Sequence, residues 1–249
     1  MENFDITQFF GTIPVLDKGH VEFCDGMVRD PKLKIVNAAR VSFQREVIEL
    51  KPKDIQLIDF LYKNEHFSTF RHSYFSFRVK APLAVFRQWW KYQIGSDWVE
   101  NENVGTIQIP ETNWNEASGR YVEFKPEFYI PNEIRIQSKT NKQGSDGKLE
   151  VLAYGQDPVK FFEESCEILF SRYEHMVKSG AAKEQARLLL PQNIYTECMW
   201  TCSLQCLLYF WHQRLKPDAQ FEIRQFASAT AKLILPILEP LELGIQVNQ

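Results

Sequence analysis

No apolar stretch of this chain approaches the length needed to cross a bilayer, so no membrane-spanning helix is expected. Basic residues are not in excess either: 29 Lys and Arg against 32 Asp and Glu leave a formal net charge of −3. That balance provides no electrostatic basis for binding a nucleic-acid polymer or an anionic membrane. Cysteine is sparse and odd in number, five in 249 residues, which favours reduced thiols over a disulfide framework. Met1-Glu2-Asn3-Phe4-Asp5 places no basic residue ahead of an apolar run, so no secretory leader is expected. No internal repeat is present, and no linker divides the chain. A cytoplasmic globular protein follows as the expectation. It forms one domain over residues 1–249, with surface insertions near 97–114 and 135–157.

What the chain does contain is a polar, aromatic segment rich in ligand-binding groups. Arg87-Gln88-Trp89-Trp90-Lys91-Tyr92-Gln93-Ile94-Gly95-Ser96 is followed by Asn115-Glu116-Ala117-Ser118-Gly119-Arg120-Tyr121. Guanidinium, ammonium and hydroxyl groups suit a phosphate, whereas amide and carboxylate groups suit ring edges and sugar hydroxyls. The mixture fits a small, flat, anionic ligand. Eighteen residues, Asp97 to Trp114, separate the two blocks.

Local patterns define the frame. Ile13, Val15 and Leu16 lead through Asp17-Lys18-Gly19 to Val21, Phe23 and Cys24, which predicts a hairpin over residues 13–24. Asp30-Pro31 is a helix start, with an acidic cap and a proline in the first turn. A second helix is expected after Pro52, with Ile55, Ile58, Leu61 and Tyr62 on its apolar face. Residues 73–80 alternate Phe75, Phe77 and Val79 against Ser76, Arg78 and Lys80, which predicts a half-buried strand. Pro82 is expected to open a helix that ends near Gly95. Glu123–Ile130 reads as a further strand closed by Pro131, and residues 137–148 read as a polar surface loop. Val159, Phe162, Cys166, Leu169, Tyr173 and Met176 form an amphipathic helical stripe. Helices are expected at 182–190, 196–213 and 218–234. The fold class is α+β, with an antiparallel or mixed sheet packed against helices.

Three groups are candidates for chemistry. Cys198, Cys202 and Cys206 share one face of a predicted helix, but Met199, Trp200, Leu204 and Leu207 surround them. Core packing is the reading, and no metal site is expected. His66 and His72 flank the start of the alternating strand, where lone histidines most often serve surface or core roles. Arg120, Arg187 and Arg214 come from distant parts of the chain. Each alone can simply lay its stem along an apolar face. Together with Ser118-Gly119 they favour a phosphate and polar-ring site over that reading.

These residues, in this order, resemble the flavin-dependent thymidylate synthases. The resemblance runs through Val15–Gly19, Ala38–Ser42, His66–Phe77, Val79–Pro82 and Arg87-Gln88-Trp89. It continues through Asn115–Tyr121, Glu127–Pro131, Ala186–Pro191, Tyr195-Thr196 and Arg214–Gln225. It implies a homotetramer with active sites between subunits. It also implies reductive methylation of dUMP to dTMP, with methylenetetrahydrofolate as carbon donor and FAD reduced by NADPH. By the same resemblance Gln88, Trp89, Trp90, Lys91, Glu116, Ala117, Ser118, Gly119, Arg120, Arg187 and Arg214 contact dUMP. Arg214 is the catalytic residue, stabilising negative charge on the uracil ring. The flavin falls to Ser42, His66, Ser68, Lys91, Tyr92, Gln93, Glu116, Ser203, Gln205 and Tyr209.

The departures fall mainly on the flavin side. The family's usual Arg-His-Arg reads Lys91-Tyr92-Gln93 here, and Ser118 lies beyond the insertion. Positions usually Asn, Arg and Asn read Ser203, Gln205 and Tyr209, and Asp218 replaces a histidine. Lys91 keeps a cation without a bidentate fork, while Tyr92 and Tyr209 offer rings for stacking. Two other readings therefore stand beside the first. One is a related pyrimidine-nucleotide-modifying enzyme with altered cofactor use; the other is a non-catalytic nucleotide-binding homologue.

Overall fold

The computed structural model describes residues 4–92, 97–101, 105–109 and 113–247, the two short middle segments as backbone only. The first unit is the expected hairpin, β1 (Gly11–Val15) and β2 (Gly19–Gly26). It closes so tightly that a Cβ on Gly19 would lie 2.7 Å from the Lys80 carbonyl oxygen and 2.8 Å from that of Val15. Only glycine fits there.

Helix α1 (Pro31–Arg40) begins as its sequence predicts: the Asp30 carboxylate accepts from Lys32 N at 2.8 Å, and Pro31 occupies the first turn. Helix α2 (Pro52–Lys63) also opens on proline and buries Ile58 and Leu61. A 3₁₀ segment, Phe67–His72, leads into β3 (Tyr74–Pro82), whose Phe75, Phe77 and Val79 are fully buried. Pro82 is the last residue of that strand and caps α3 (Leu83–Trp89), which tightens into a 3₁₀ turn over Trp90–Tyr92. The helix is thus shorter than expected, and Gly95 lies outside the described residues.

Strands β4 (Asp97–Asn101) and β5 (Gly105–Ile109) form a separate hairpin ahead of β6 (Trp114–Glu116). Glu123–Ile130 is not a strand. Pro126 lacks a donor for a ladder and Pro131 ends the run, leaving one isolated bridge, Phe128 to Ile194. The polar stretch at 137–148 is not a plain loop. It is most of a small hairpin, β7 (Arg135–Gln137) with β8 (Ser145–Lys148).

Helix α4 (Pro158–Lys178) buries Cys166, Phe170 and Tyr173. Phe170 replaces Leu169 at the centre of the expected stripe, and Met176 lies at its exposed edge. A short helix, α5 (Lys183–Ala186), and a 3₁₀ turn at Arg187–Leu189 follow.

The largest correction concerns residues 196–213. They are a strand running into a helix: β9 (Tyr195–Ser203) and α6 (Leu204–Arg214). A four-residue cysteine spacing fits both periods, since i and i+4 share a face in a helix and in a strand. The neighbours decide it: Cys198, Trp200 and Cys202 are buried while Glu197 and Met199 are exposed. The Ser203 hydroxyl accepts from Cys206 N at 3.2 Å and starts the helix. Helix α7 (Phe221–Leu238) completes the chain of elements and runs through Pro236.

The main sheet has the order β1-β2-β3-β9-β6, and every pairing is antiparallel. The chain is therefore α+β. One core joins the sheet to α1, α2, α3, α6 and α7, with Trp89 stacked on Phe210 at 4.7 Å between ring centroids. Full burial of such a side chain contributes about 1.5–3 kcal/mol. A second cluster under α4 holds Phe128, Cys166, Phe170, Tyr173, Ala186 and Ile194. Among the described residues no helix is long and apolar enough to cross a membrane.

Candidate functional site

The expected ligand residues gather in two places. The first lies where β6 leaves the sheet edge. Glu116 pairs with Cys198 of β9, and Ala117 N donates to the Glu197 carbonyl at 2.8 Å. The chain then folds into a turn. Ser118 O accepts from Tyr121 N at 3.0 Å and Val122 N at 3.1 Å, and Ser118 Oγ accepts from Arg120 N at 3.3 Å. Gly119 sits under the ring of Phe124, and a Cβ there would lie 2.3 Å from Phe124 Cε2.

Arg187, on the 3₁₀ turn after α5, faces this loop across a cleft of about 370 Å³ that Glu116, Ala117, Ser118, Gly119 and Phe124 also line. A second cleft, of about 210 Å³, flanks the other side of the same loop and includes Lys80, Thr196 and Glu197. Burial raises the pKa of the Glu116 carboxyl, opposed by Thr196 and by the Arg187 charge. The Thr196 hydroxyl lies close to that carboxyl but falls short of hydrogen-bond geometry, so its oxygen is buried and unpartnered. Arg120 reaches Glu184 at 3.8 Å, with both side chains about 60% exposed. Such a pair contributes less than about 1 kcal/mol and leaves the guanidinium available to a ligand.

The second place is the end of α6. Arg214 donates Nη2 to the Gln88 carbonyl oxygen at 2.6 Å, and its Cζ lies 3.9 Å from the Tyr92 ring centroid. Tyr92 stacks on Tyr209 at 6.2 Å. Burial lowers the Arg214 pKa, opposed by the hydroxyls of Tyr92 and Tyr209. Arg214 Nε is buried without a partner. Gln88 also donates its side-chain amide to Gln220. Trp90 packs edge-on against Trp114 at 5.7 Å, on the strand that carries Glu116, and Lys91 is exposed.

Two of the expected ligand residues have other duties. Trp89 is fully buried among Phe86, Trp200 and Phe210, so its ring belongs to the core and is closed to a substrate. Ser203 is fully buried, and its hydroxyl accepts from Cys206 N to cap α6.

Of the other flavin candidates, Ser42 and Ser68 are exposed on 3₁₀ segments, and His66 is exposed immediately before the second of them. Gln205 accepts from Arg71 Nε at 2.7 Å, and Gln93 lies outside the described residues. Arg71, Thr196, Phe124 and Gln220 were not singled out from sequence. Arg71, Thr196 and Gln220 meet groups distant along the chain, whereas Phe124 folds back on nearby Gly119; no local pattern marks any of them.

Cys198, Cys202 and Cys206 are buried in the core. Desolvation holds the Cys198 thiol far above its ordinary value.

Residues 25–238 match the family model described as thymidylate synthase complementing protein. A flavin-dependent thymidylate synthase of Thermus thermophilus is 39% identical over 223 residues, covering 90% of this chain and 74% of that protein. One of Kosmotoga olearia is 35% identical over 225 residues, covering 89% and 87%. Among solved structures, the UMP/dUMP methylase PolB of Streptomyces cacaoi, bound with 5-Br dUMP, superposes with a TM-score of 0.69. It is 26% identical and covers 93% of this chain and 99% of that one. With the sheet, the arginine-lined cleft and the sequence similarity in agreement, this chain belongs to the thymidylate synthase complementing protein family, that of the flavin-dependent thymidylate synthases.

Proposed function

We propose that this protein converts dUMP to dTMP, with methylenetetrahydrofolate as carbon donor, NADPH as reductant and FAD as cofactor. The observation that carries the reading is the pairing of two arginine-containing half-sites. Arg187 faces the Glu116–Gly119 loop across one cleft, and Arg214 is held against Gln88 and Tyr92 elsewhere. Arg187 and Arg120 supply charge-assisted hydrogen bonds to a phosphate, aided by Ser118. Arg214, half-buried in apolar surroundings, stabilises negative charge on a uracil ring and so makes carbon 5 nucleophilic. None of the five cysteines acts as a nucleophile in this scheme.

Neither half-site alone carries the whole substrate set, which supports completion of each site by another copy in a homotetramer. The residues present also suit a flavin. Tyr92 and Tyr209 form a ring pair, and Arg71 brings a guanidinium to the first turn of α6. Lys91 with exposed Ser42, His66 and Ser68 adds a cation and further donors. Bound flavin supplies the hydride that completes the methyl group. The cation at α6 thus comes from Arg71, while Ser203 serves as a cap.

The test is tritium release from dUMP labelled at carbon 5, under anaerobic turnover with NADPH and methylenetetrahydrofolate. Release with dTMP formation is expected, from a yellow protein with a flavin spectrum. Absence of both sinks the reading. Because PolB is a UMP/dUMP methylase, UMP belongs in the same assay. Tritium release without dTMP would instead favour an enzyme with a different carbon donor. A colourless protein that binds dUMP but takes up no FAD would indicate a non-catalytic homologue.

A further inference from the structure

Gln88 stands at one end of a side-chain relay that ends on a buried carboxylate. Glu222, in the first turn of α7, is 6% exposed. Its Oε1 accepts from Arg135 Nη2 at 2.8 Å and from the Tyr129 hydroxyl at 3.2 Å. Its Oε2 accepts from Gln220 Nε2 at 2.7 Å. Gln220 Oε1 in turn accepts from Gln88 Nε2. Arg135 is itself steadied by Ser145 at 3.0 Å and lies 5.4 Å from the Phe221 ring centroid.

The chemistry of these groups sets a direction. An ionised carboxylate only accepts, so Gln220 must turn its NH₂ toward Glu222 and its carbonyl toward Gln88. Gln88 must then turn its own NH₂ toward Gln220. Its carbonyl oxygen and second N–H are thereby held in one arrangement, with the two amide ends unable to exchange. Burial pushes the Glu222 carboxyl upward, but the bonds from Arg135 and Gln220 outweigh it and keep the group ionised at neutral pH. The main chain of Gln88 is held separately, by Arg214.

We infer that Glu222 and Gln220 are positioning residues that fix the flip state of the Gln88 side chain for the nucleotide. Arg135 anchors the far end from the β7–β8 hairpin. The inference rests on the proposed role of Gln88 at dUMP. It adds that the direction of two consecutive amides is dictated by one carboxylate behind them.

The experiment measures dUMP dissociation constants by calorimetry on the full-length protein, with thermal unfolding as a control. Gln220→Leu removes the middle link at an exposed position. It is expected to weaken dUMP binding about tenfold with little change in Tm, the size expected for one well-placed hydrogen bond. In a Gln88→Leu background the same change should add nothing, because the group it orients is gone. Exchanging the two residues, Gln220→Glu with Glu222→Gln, puts the carboxylate directly on Gln88 and should restore affinity to within about threefold. A purely structural role for Glu222 would not be rescued by that exchange.

If wild-type protein binds dUMP and Gln220→Leu binds it equally well, the relay is overturned. It is also overturned if the loss persists in full in the Gln88→Leu background, or if the exchange restores nothing. Wild-type protein that does not bind dUMP overturns the functional reading instead.

Discussion

Arg214 lies across the face of Tyr92, 3.9 Å from the ring centroid, while its Nη2 holds the Gln88 carbonyl at 2.6 Å. A guanidinium clamped between a ring and a main-chain oxygen is fixed before any ligand arrives, the preorganisation that charge stabilisation requires. Arg214→Ala is expected to lower dTMP turnover at least about a hundredfold. Tm should change little, because the residue ends a helix at a half-buried position. Arg214→Lys should fall between, keeping the charge but losing the planar fork. Near-normal turnover in Arg214→Ala would refute this role.

Glu116 carries a pH signature. Burial raises its carboxyl pKa above the ordinary carboxylate value, so the ionised form is disfavoured in the folded state. That destabilisation is fully present above the raised pKa and fades as pH falls toward the unfolded value. Glu116→Gln should therefore raise Tm at neutral pH, with the difference shrinking in acid. Thermal unfolding across that range checks the sign, and a uniform or reversed difference would contradict it.

Phe124 and Gly119 share one space. Gly119→Ala forces the ring to move, since the new methyl would lie 2.3 Å from Cε2, and that ring lines both clefts. The expected result is about tenfold weaker dUMP binding, from displaced lining groups rather than unfolding. Adding Phe124→Ala should recover part of the loss by making room. If the double variant is no better than the single one, the steric account fails.

On the cofactor side, Arg71 is the testable residue. Arg71→Ala removes a guanidinium beside Gln205 and should weaken FAD binding about tenfold, the scale of one charge-assisted bond. Flavin fluorescence titration reads this without turnover. The dUMP affinity of the same variant should be unchanged, which separates the cofactor effect from general damage.

Cysteine chemistry offers a negative control. Cys198, Cys202 and Cys206 are buried, and burial raises the pKa of the Cys24, Cys166 and Cys198 thiols. Treatment of native protein with iodoacetamide should leave dTMP formation intact. Loss of activity that tracks alkylation of one of these thiols would reopen a nucleophilic role.

Much of the frame is readable from residue order. Asp30-Pro31 specifies a helix start through a cap and a fixed φ, and Phe75, Phe77 and Val79 specify a strand face through a period of two. The family pattern is also in the sequence, and with it the Glu116–Arg120 loop and Arg214. The misread elements have physical causes. The cysteines of β9 and α6 sit at a spacing common to both periods, and Pro126 and Pro131 leave an apolar stretch without a ladder.

Ser203, expected at the flavin, sits where a strand turns into a helix. A serine at a strand–helix junction serves the nearest unpaired N–H before it serves a ligand. Trp89, expected at the substrate, has its ring turned by helix α3 into the core, a choice made by what packs over it.

Local order in the sequence thus determined which segments pair, cap and bury, because those preferences act over a few residues. It also determined which chemical groups are present. The tertiary structure alone decided which of them meet. Arg71 finds Gln205 across 134 residues, and Gln88 finds Gln220 across 132. Such contacts arise from sheet order and helix packing, and no periodicity along the chain encodes them.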